Sequence, residues 1–176
     1  KNDTKIAQTQ EKISNKDYFL IKDIKEIDHW IKEAEEVGEV AVDTETSSLD
    51  PHQADLIGIS LSSKIGKACY IPINHNSEKN INKDLVLKKL KPLFEDPSIK
   101  KIGQNIKFDF IVLLKQGIKL SSMEDTMLMS YVLDAGKNRH NMDTLSEIHL
   151  GHKTISYKDL VGTGKKEINF SEVDLE

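Results

Sequence analysis

Val40-Ala41-Val42-Asp43-Thr44-Glu45-Thr46 is an apolar run that ends in alternating acids. The run predicts a β-strand, and because strand side chains alternate between faces, Asp43 and Glu45 point to the same side of the sheet. Two converging carboxylates repel each other unless a cation lies between them, and hard divalent cations such as Mg²⁺ prefer oxygen ligands. On this motif alone, two solvated acids at a strand end remain the simpler interpretation.

A further acid follows a short apolar strand in Gly103-Gln104-Asn105-Ile106-Lys107-Phe108-Asp109. Asn105 is predicted to cap a helix that runs to about Gln116, which places Asp109 about one turn in, on the same face as Asn105. The helix dipole stabilises an acid near a helix N-terminus without any function, so this motif also has a purely structural explanation.

The sequence around these motifs predicts one α/β domain over residues 17–176. Short apolar runs predict strands at 18–21, 56–61, 68–73 and 99–103, and helical periodicity predicts helices at 84–94, 124–133 and 143–150. This order of elements is typical of a mixed β-sheet flanked by helices. Residues 1–16 are almost all polar and are interpreted as a tail or an inter-domain linker.

Composition narrows the classes of function. The net charge of −4 argues against a domain that binds nucleic acid through a broad basic surface, although a carboxylate site built around metal ions is itself acidic. The single cysteine, Cys69, lies in an apolar run and is predicted to be a buried strand residue rather than a catalytic thiol. No apolar run approaches the roughly 20 residues that cross a bilayer, so we expect a cytoplasmic protein that does not bind membranes.

Taken together, the two acidic motifs resemble the first and second motifs of the DEDD exonuclease superfamily. Three more segments resemble the proofreading domain of bacterial DNA polymerase I in the same order: residues 90–96, 125–128 and 139–145. The resemblance implies a ribonuclease H-like fold and a 3′-5′ exonuclease that uses two Mg²⁺ or Mn²⁺ ions. It implies that Asp43 bridges both ions, that Glu45 binds one and that Asp109 helps to hold the second.

The resemblance also implies a substrate and partners. Leu49, Gln104, Asn105 and Phe108 match family residues that contact the terminal nucleotides. The expected substrate is a single-stranded or frayed 3′ end of DNA, and the expected product is a deoxynucleoside 5′-monophosphate. We expect a polymerase domain in the same polypeptide and a monomeric state.

The chain departs from the family at its third motif, a Tyr followed four residues later by an Asp. After Asp109, Tyr131 is followed at that spacing by Ala135 and Tyr157 by Val161. Ser171 is predicted to cap a late helix that would carry the motif, so we expect a domain truncated before it and a fragment with weak or no activity. An inactive structural module of a polymerase and a DEDD-type RNA exonuclease remain alternatives.

Asp125 is expected to cap a helix or form a hydrogen bond inside the fold rather than bind metal.

Overall fold

A six-stranded mixed sheet forms the centre of the computed structural model, which describes residues 17–175. The predicted polar tail at residues 1–16 lies outside the described residues. The strands are β1 (Tyr18–Leu20), β2 (Glu39–Thr46), β3 (Leu56–Lys64), β4 (Lys67–Pro72), β5 (Lys100–Gly103) and β6 (Met123–Asp125). The α-helices are α1 (Ile27–Val37), α2 (Lys83–Glu95), α3 (Lys107–Lys115), α4 (Thr126–Asp134), α5 (Met142–Leu150) and α6 (Tyr157–Val161).

The strand order is β1-β4-β3-β2-β5-β6, which places β2 in the interior of the sheet. Strand β2 pairs antiparallel with β3 and parallel with β5, so the predicted mixed sheet is confirmed. Helix α1 packs against β2 and β3, and helix α3 packs against β2. Val40 and Val42 are buried on one face of β2, which leaves Asp43 and Glu45 together on the other, as their spacing predicts.

Helix ends follow the local chemistry of the sequence. Gly38 ends α1 with a φ of 81°, a conformation that glycine adopts at little cost. Asn82 caps α2 by accepting from Leu85 N, and Asp125 caps α4 by accepting from Met127 N and Leu128 N. The capping role predicted for Asp125 is therefore confirmed.

Two late elements differ from the sequence predictions. The helix predicted at 124–133 begins at Thr126, because Met123–Asp125 instead forms strand β6 beside β5. The predicted cap at Ser171 is wrong. The cap is instead Asn169, two residues before Ser171, and it precedes a 3₁₀ segment at Phe170–Glu172. Asn169 Oδ1 accepts from Ser171 N, and Glu172 Oε1 accepts from Asn169 N, which completes a capping box.

Burial is unevenly distributed along the described chain. The main core lies between the sheet and helices α1, α2 and α3, and it includes Cys69, as predicted. From residue 121 to residue 160 no residue is buried. The chain then returns to the protein interior at Val161 and Phe170, which form a small second cluster with Ile57. Within residues 17–175, no helix is both long and apolar enough to cross a membrane.

Candidate functional site

An acidic cleft of about 450 Å³ lies where the end of β2 meets the start of α3. All the site residues predicted from the sequence line it. The complete lining is Asp43, Thr44, Glu45, Thr46, Ser47, Ser48, Leu49, Gln104, Asn105, Phe108, Asp109, Tyr157 and Glu167. The fold thus brings together residues that are more than 60 positions apart in sequence.

Asp109 binds the backbone of β2 at a stretch that is not paired with β5. Strand β5 pairs with β2 only as far as Ala41, so the amide of Thr44 lies beyond the end of that ladder. The Asp109 carboxylate fills the gap: its Oδ1 accepts from Thr44 N at 2.8 Å and from Thr44 Oγ1 at 2.6 Å. Asp109 is 2% exposed, and the two hydrogen bonds to one oxygen fix its orientation.

Burial and mutual repulsion raise the pKa values of the three cleft acids. The pKa of Glu45 rises to about 7 because the carboxyl is desolvated and because Asp43 and Asp109 carry like charges. Desolvation also raises the pKa of Asp109 to about 7, with a further contribution from Asp43 and an opposing one from the Thr44 hydrogen bonds. The pKa of Asp43 is raised by burial. Because no basic side chain contributes to these shifts, the cleft favours an added cation.

The three acids share the cleft without forming a tight cluster. Within residues 17–175, no three Asp, Glu, His or Cys side chains are grouped closely enough to form a ready-made metal site. The chemistry of the donors nevertheless fits a hard divalent cation, because all three are carboxylates and their charges are uncompensated. A cation bound here would draw the acids together and favour their ionised forms.

The predicted capping role of Asn105 is wrong. Helix α3 begins after Ile106 without a side-chain cap, and Asn105 has a φ of 59° in the left-handed region. Its N–H donates to Asp125 Oδ1 at 3.0 Å, and its carbonyl accepts from Phe108 N at 2.9 Å. Asparagine tolerates this conformation better than most residues, so the backbone, not the side chain, sets the turn into α3.

The remaining predicted contact residues differ in how they are held. Leu49 is 91% exposed at the rim of the cleft, and Phe108 is half-buried in its wall. The amide of Gln104 is already engaged, because Nε2 donates to His140 O at 2.7 Å and Oε1 accepts from Thr126 Oγ1 at 2.6 Å. Gln104 therefore connects the cleft to α4 and to the loop that follows it.

Two residues of the cleft wall were not predicted from the sequence. Tyr157 and Glu167 both line the cleft, and burial together with the charges of Glu45 and Glu167 raises the pKa of Tyr157. Their sequence neighbours carry no motif that marks them. Their position depends on how the chain packs after α5, which local spacing does not reveal.

A family model described as 3′-5′ exonuclease matches residues 18–173. The chain belongs to this 3′-5′ exonuclease family. The exonuclease family and the ribonuclease H-like fold that the resemblance implied are thus confirmed.

Relatives of this exonuclease domain include much longer proteins. The chain is 42% identical over 180 residues to DNA polymerase I of Rhizobium leguminosarum, an alignment that covers 90% of this chain and 18% of the relative. The chain therefore spans about a fifth of the length of the curated relatives that it matches.

Solved structures share the fold of the exonuclease domain. Brucella melitensis NrnC with bound Mg²⁺ is 26% identical with a TM-score of 0.58, over 79% of this chain and 62% of that one. Trypanosoma brucei RNase D in complex with RNA U12 is 14% identical with a TM-score of 0.63, over 78% of this chain and 48% of that one. The second likeness concerns the fold alone.

Proposed function

We propose that this domain removes nucleotides from single-stranded or frayed 3′ ends of DNA, as the proofreading domain of a DNA polymerase I. The observation that carries the proposal is the convergence of Asp43, Glu45 and Asp109 in one cleft without a basic partner. A cleft of this kind repels a phosphodiester unless cations are bound first, so the proposal requires divalent ions.

Asp43, Glu45 and Asp109 are the residues that would hold two Mg²⁺ or Mn²⁺ ions. When bound, such ions lower the pKa of a water molecule and stabilise the departing 3′ oxygen of a phosphodiester. The chain's own contribution is to position the ligands. Thr44 occupies Oδ1 of Asp109 and leaves Oδ2 available, while Asp43 and Glu45 are fixed two residues apart on one strand.

Apolar and aromatic side chains around the acids are suited to the bases of a strand end. Leu49 projects at the rim, and Phe108 and Tyr157 line the walls of the same cleft. Stacking on such surfaces tolerates any base, and a proofreading site has to accept all of them. We propose that Asn105, whose side chain forms no hydrogen bond within residues 17–175, adds a polar contact to the terminal nucleotide.

We expect a polymerase domain in the same polypeptide, because two relatives that are 42% and 40% identical to the chain are DNA polymerases I. We expect DNA as substrate for the same reason. The family's third motif has no match after Asp109 in the 176 residues. Three carboxylates hold two ions less firmly than four, so we expect weak ion binding and slow cleavage by this chain.

Calorimetric titration with Mn²⁺ tests the metal site directly. The chain is compared with Asp43→Asn, with Asp109→Asn and with Asp17→Asn, a matched change at an exposed acid outside the cleft. Losing a ligand is expected to weaken binding by at least about tenfold, whereas the Asp17 variant binds like the parent. Binding that survives both cleft substitutions would place the ions elsewhere.

Cleavage assays separate the proposal from its alternatives. Single strands of DNA and of RNA, each labelled at the 3′ end, are incubated with the chain and with Asp43→Asn in Mn²⁺. Slow release of labelled deoxynucleotide by the chain, but not by the variant, supports a DNA exonuclease. Faster trimming of RNA favours an RNA exonuclease, and the absence of both ion binding and cleavage favours an inactive structural module.

A further inference from the structure

Four rings connect the sheet beside Glu45 to Tyr157, a lining residue of the acidic cleft. Tyr70 Oη lies 2.7 Å from His75 Nε2, and the His75 and Phe170 ring centroids are 5.9 Å apart. Phe170 stacks on Tyr157, with centroids 6.2 Å apart and planes 13° from parallel. We call Tyr70, His75, Phe170 and Tyr157 the aromatic strut.

The sheet register places one end of the strut next to Glu45. Asp43 pairs with Ser60, which pairs in turn with Tyr70, so these residues share a row on one face of the sheet. Glu45 pairs with Gly58 in the next row. Tyr70 leans into that row: a Cβ on Gly58 would lie 2.0 Å from its hydroxyl.

His75 is fixed in the middle of the strut. It is 5% exposed, and Asn80 holds its backbone from both sides, accepting from His75 N at 2.8 Å and donating to His75 O at 2.6 Å. The adjacent amide of Asn76 donates to Ser171 O at 2.7 Å, which attaches the segment around Phe170 to the same loop. The backbone of His75 is therefore fixed, and its ring lies between those of Tyr70 and Phe170.

The far end of the strut lies outside the main core. Because residues 121–160 contain no buried residue, Tyr157 approaches the cleft on a part of the chain that the main core does not hold. The next buried residues are Val161 and Phe170, which contact Ile57. The sheet register shifts between Glu45 and Thr46, and Ile57 on β3 has no paired residue on β2 at this point, so the second cluster contacts the sheet beside Glu45.

We propose that Tyr70, His75 and Phe170 are positioning residues that hold Tyr157 in the wall of the acidic cleft and so set the width available to a terminal nucleotide. The positional part of this inference stands on the contacts alone. Its consequence for a nucleotide rests on the function proposed above. If the strut were only core packing, loosening it would leave the segment around Tyr157 in place.

Limited proteolysis tests the positional part. Trypsin cleavage after Lys158 and Lys166 is timed under native conditions for the chain, for His75→Ala, for Tyr70→Phe and for His52→Ala, a control at an exposed histidine. We expect His75→Ala to accelerate these cleavages by about tenfold, as for the loss of one buried hydrogen bond, and Tyr70→Phe to do so less. The control variant should match the parent.

Two proteolysis results would overturn the strut. One is an unchanged rate at Lys158 and Lys166 in His75→Ala. The other is an equal acceleration at Lys32 and Lys88, which lie on α1 and α2, because that would show general destabilisation rather than release of one segment. The comparison between sites keeps the test decisive even if the variant is less stable overall.

Binding of a labelled single-stranded DNA of about eight nucleotides tests the consequence for the site. Ca²⁺ replaces the catalytic ion, and fluorescence anisotropy reports the dissociation constant. We expect His75→Ala to weaken DNA binding about tenfold while Mn²⁺ affinity stays within about twofold, because the carboxylates keep their places.

If the parent chain itself binds no DNA, the proposed function fails, and proteolysis still decides whether the strut holds Tyr157. Equal loss of DNA and Mn²⁺ binding contradicts a role confined to the Tyr157 wall.

Discussion

At the scale of single residues, the raised pKa values of the cleft acids mean that their ionised forms, which can bind cations, lower the stability of the ion-free fold. Asp109 and Glu45 both have pKa values raised to about 7, mainly by burial. In an unfolded chain such groups titrate near about 4, so the ion-free folded protein takes up protons between those values. Their contribution to stability is therefore complete below about pH 4 and is lost as the pH rises through 7.

Asp109→Asn is predicted to stabilise the ion-free protein at alkaline pH. The amide oxygen of asparagine can still accept from Thr44 N and Oγ1, while the buried charge is removed. We expect a gain of about 1–3 kcal/mol near pH 8 that shrinks toward pH 4, measured by urea unfolding in EDTA. A loss of stability at pH 8 would show that the charge of Asp109 is already compensated.

Gly58→Ala is predicted to destabilise the fold. The new Cβ would lie 2.0 Å from the Tyr70 hydroxyl and 2.3 Å from Cζ of its ring, so the ring has to move away from His75. We expect a cost of about 1–3 kcal/mol in the free energy of unfolding, followed by the fluorescence of Trp30. Gly66→Ala is not a suitable control because Gly66 has a φ of 77°, so Ser63→Ala in the same strand serves instead.

At the scale of elements, a buried glutamate on helix α1 forms ion pairs with two lysines of strands β3 and β4. Glu33 on α1 is 4% exposed, and its Oε1 accepts from Lys64 at 2.9 Å and from Lys67 at 2.7 Å. The ammonium of Lys67 also lies 5.0 Å from the ring centre of Trp30. Burial acts to raise the pKa of Glu33, but the two lysines outweigh it and the net pKa is lowered.

Glu33→Gln is predicted to destabilise the protein at neutral pH and to have little effect in acid. A lowered pKa means that the stabilisation is present above the unfolded value and is lost as the pH falls through the folded value. The partly exposed lysines regain water when the charge is removed, so we expect a loss of only about 1 kcal/mol at pH 7. Urea unfolding at pH 7 and near pH 3 measures the difference. An equal loss at both would indicate packing rather than charge.

At the scale of the whole molecule, the described chain has a firmly packed half and a loosely packed one. The sheet and helices α1 to α3 share the main core, whereas α4 and α5 contribute no buried residue. Helix α4 leaves large apolar side chains exposed, among them Val132 at 79% and Leu133 at 78%. Local stability follows the density of buried apolar contacts, so the two halves should open independently.

Hydrogen exchange is predicted to separate these halves. Amides of β2 and β3 should exchange only through global unfolding, and those of α4 and α5 at least about a hundredfold faster through local opening. Two-dimensional NMR in deuterated buffer measures both sets at once. Uniform protection across α4 and β2 would show that the loosely packed half unfolds with the core.

The sequence by itself determined the strand carrying Asp43 and Glu45, the acid at Asp109 and the resemblance that led to the exonuclease family, because alternation, helix spacing and ordered motifs are local properties. It predicted the strands at 56–61 and 68–73, which form β3 and β4, for the same reason. Tertiary structure decided the rest. Asn105 does not cap α3, because its backbone N–H donates to the carboxylate of Asp125, 20 residues away. Tyr157 and Glu167 line the cleft because the second cluster packs this part of the chain against the sheet. Position 58 has to be glycine-sized because the ring of Tyr70, on the neighbouring strand, lies against it. Such long-range contacts leave no period or spacing in the sequence from which they can be predicted.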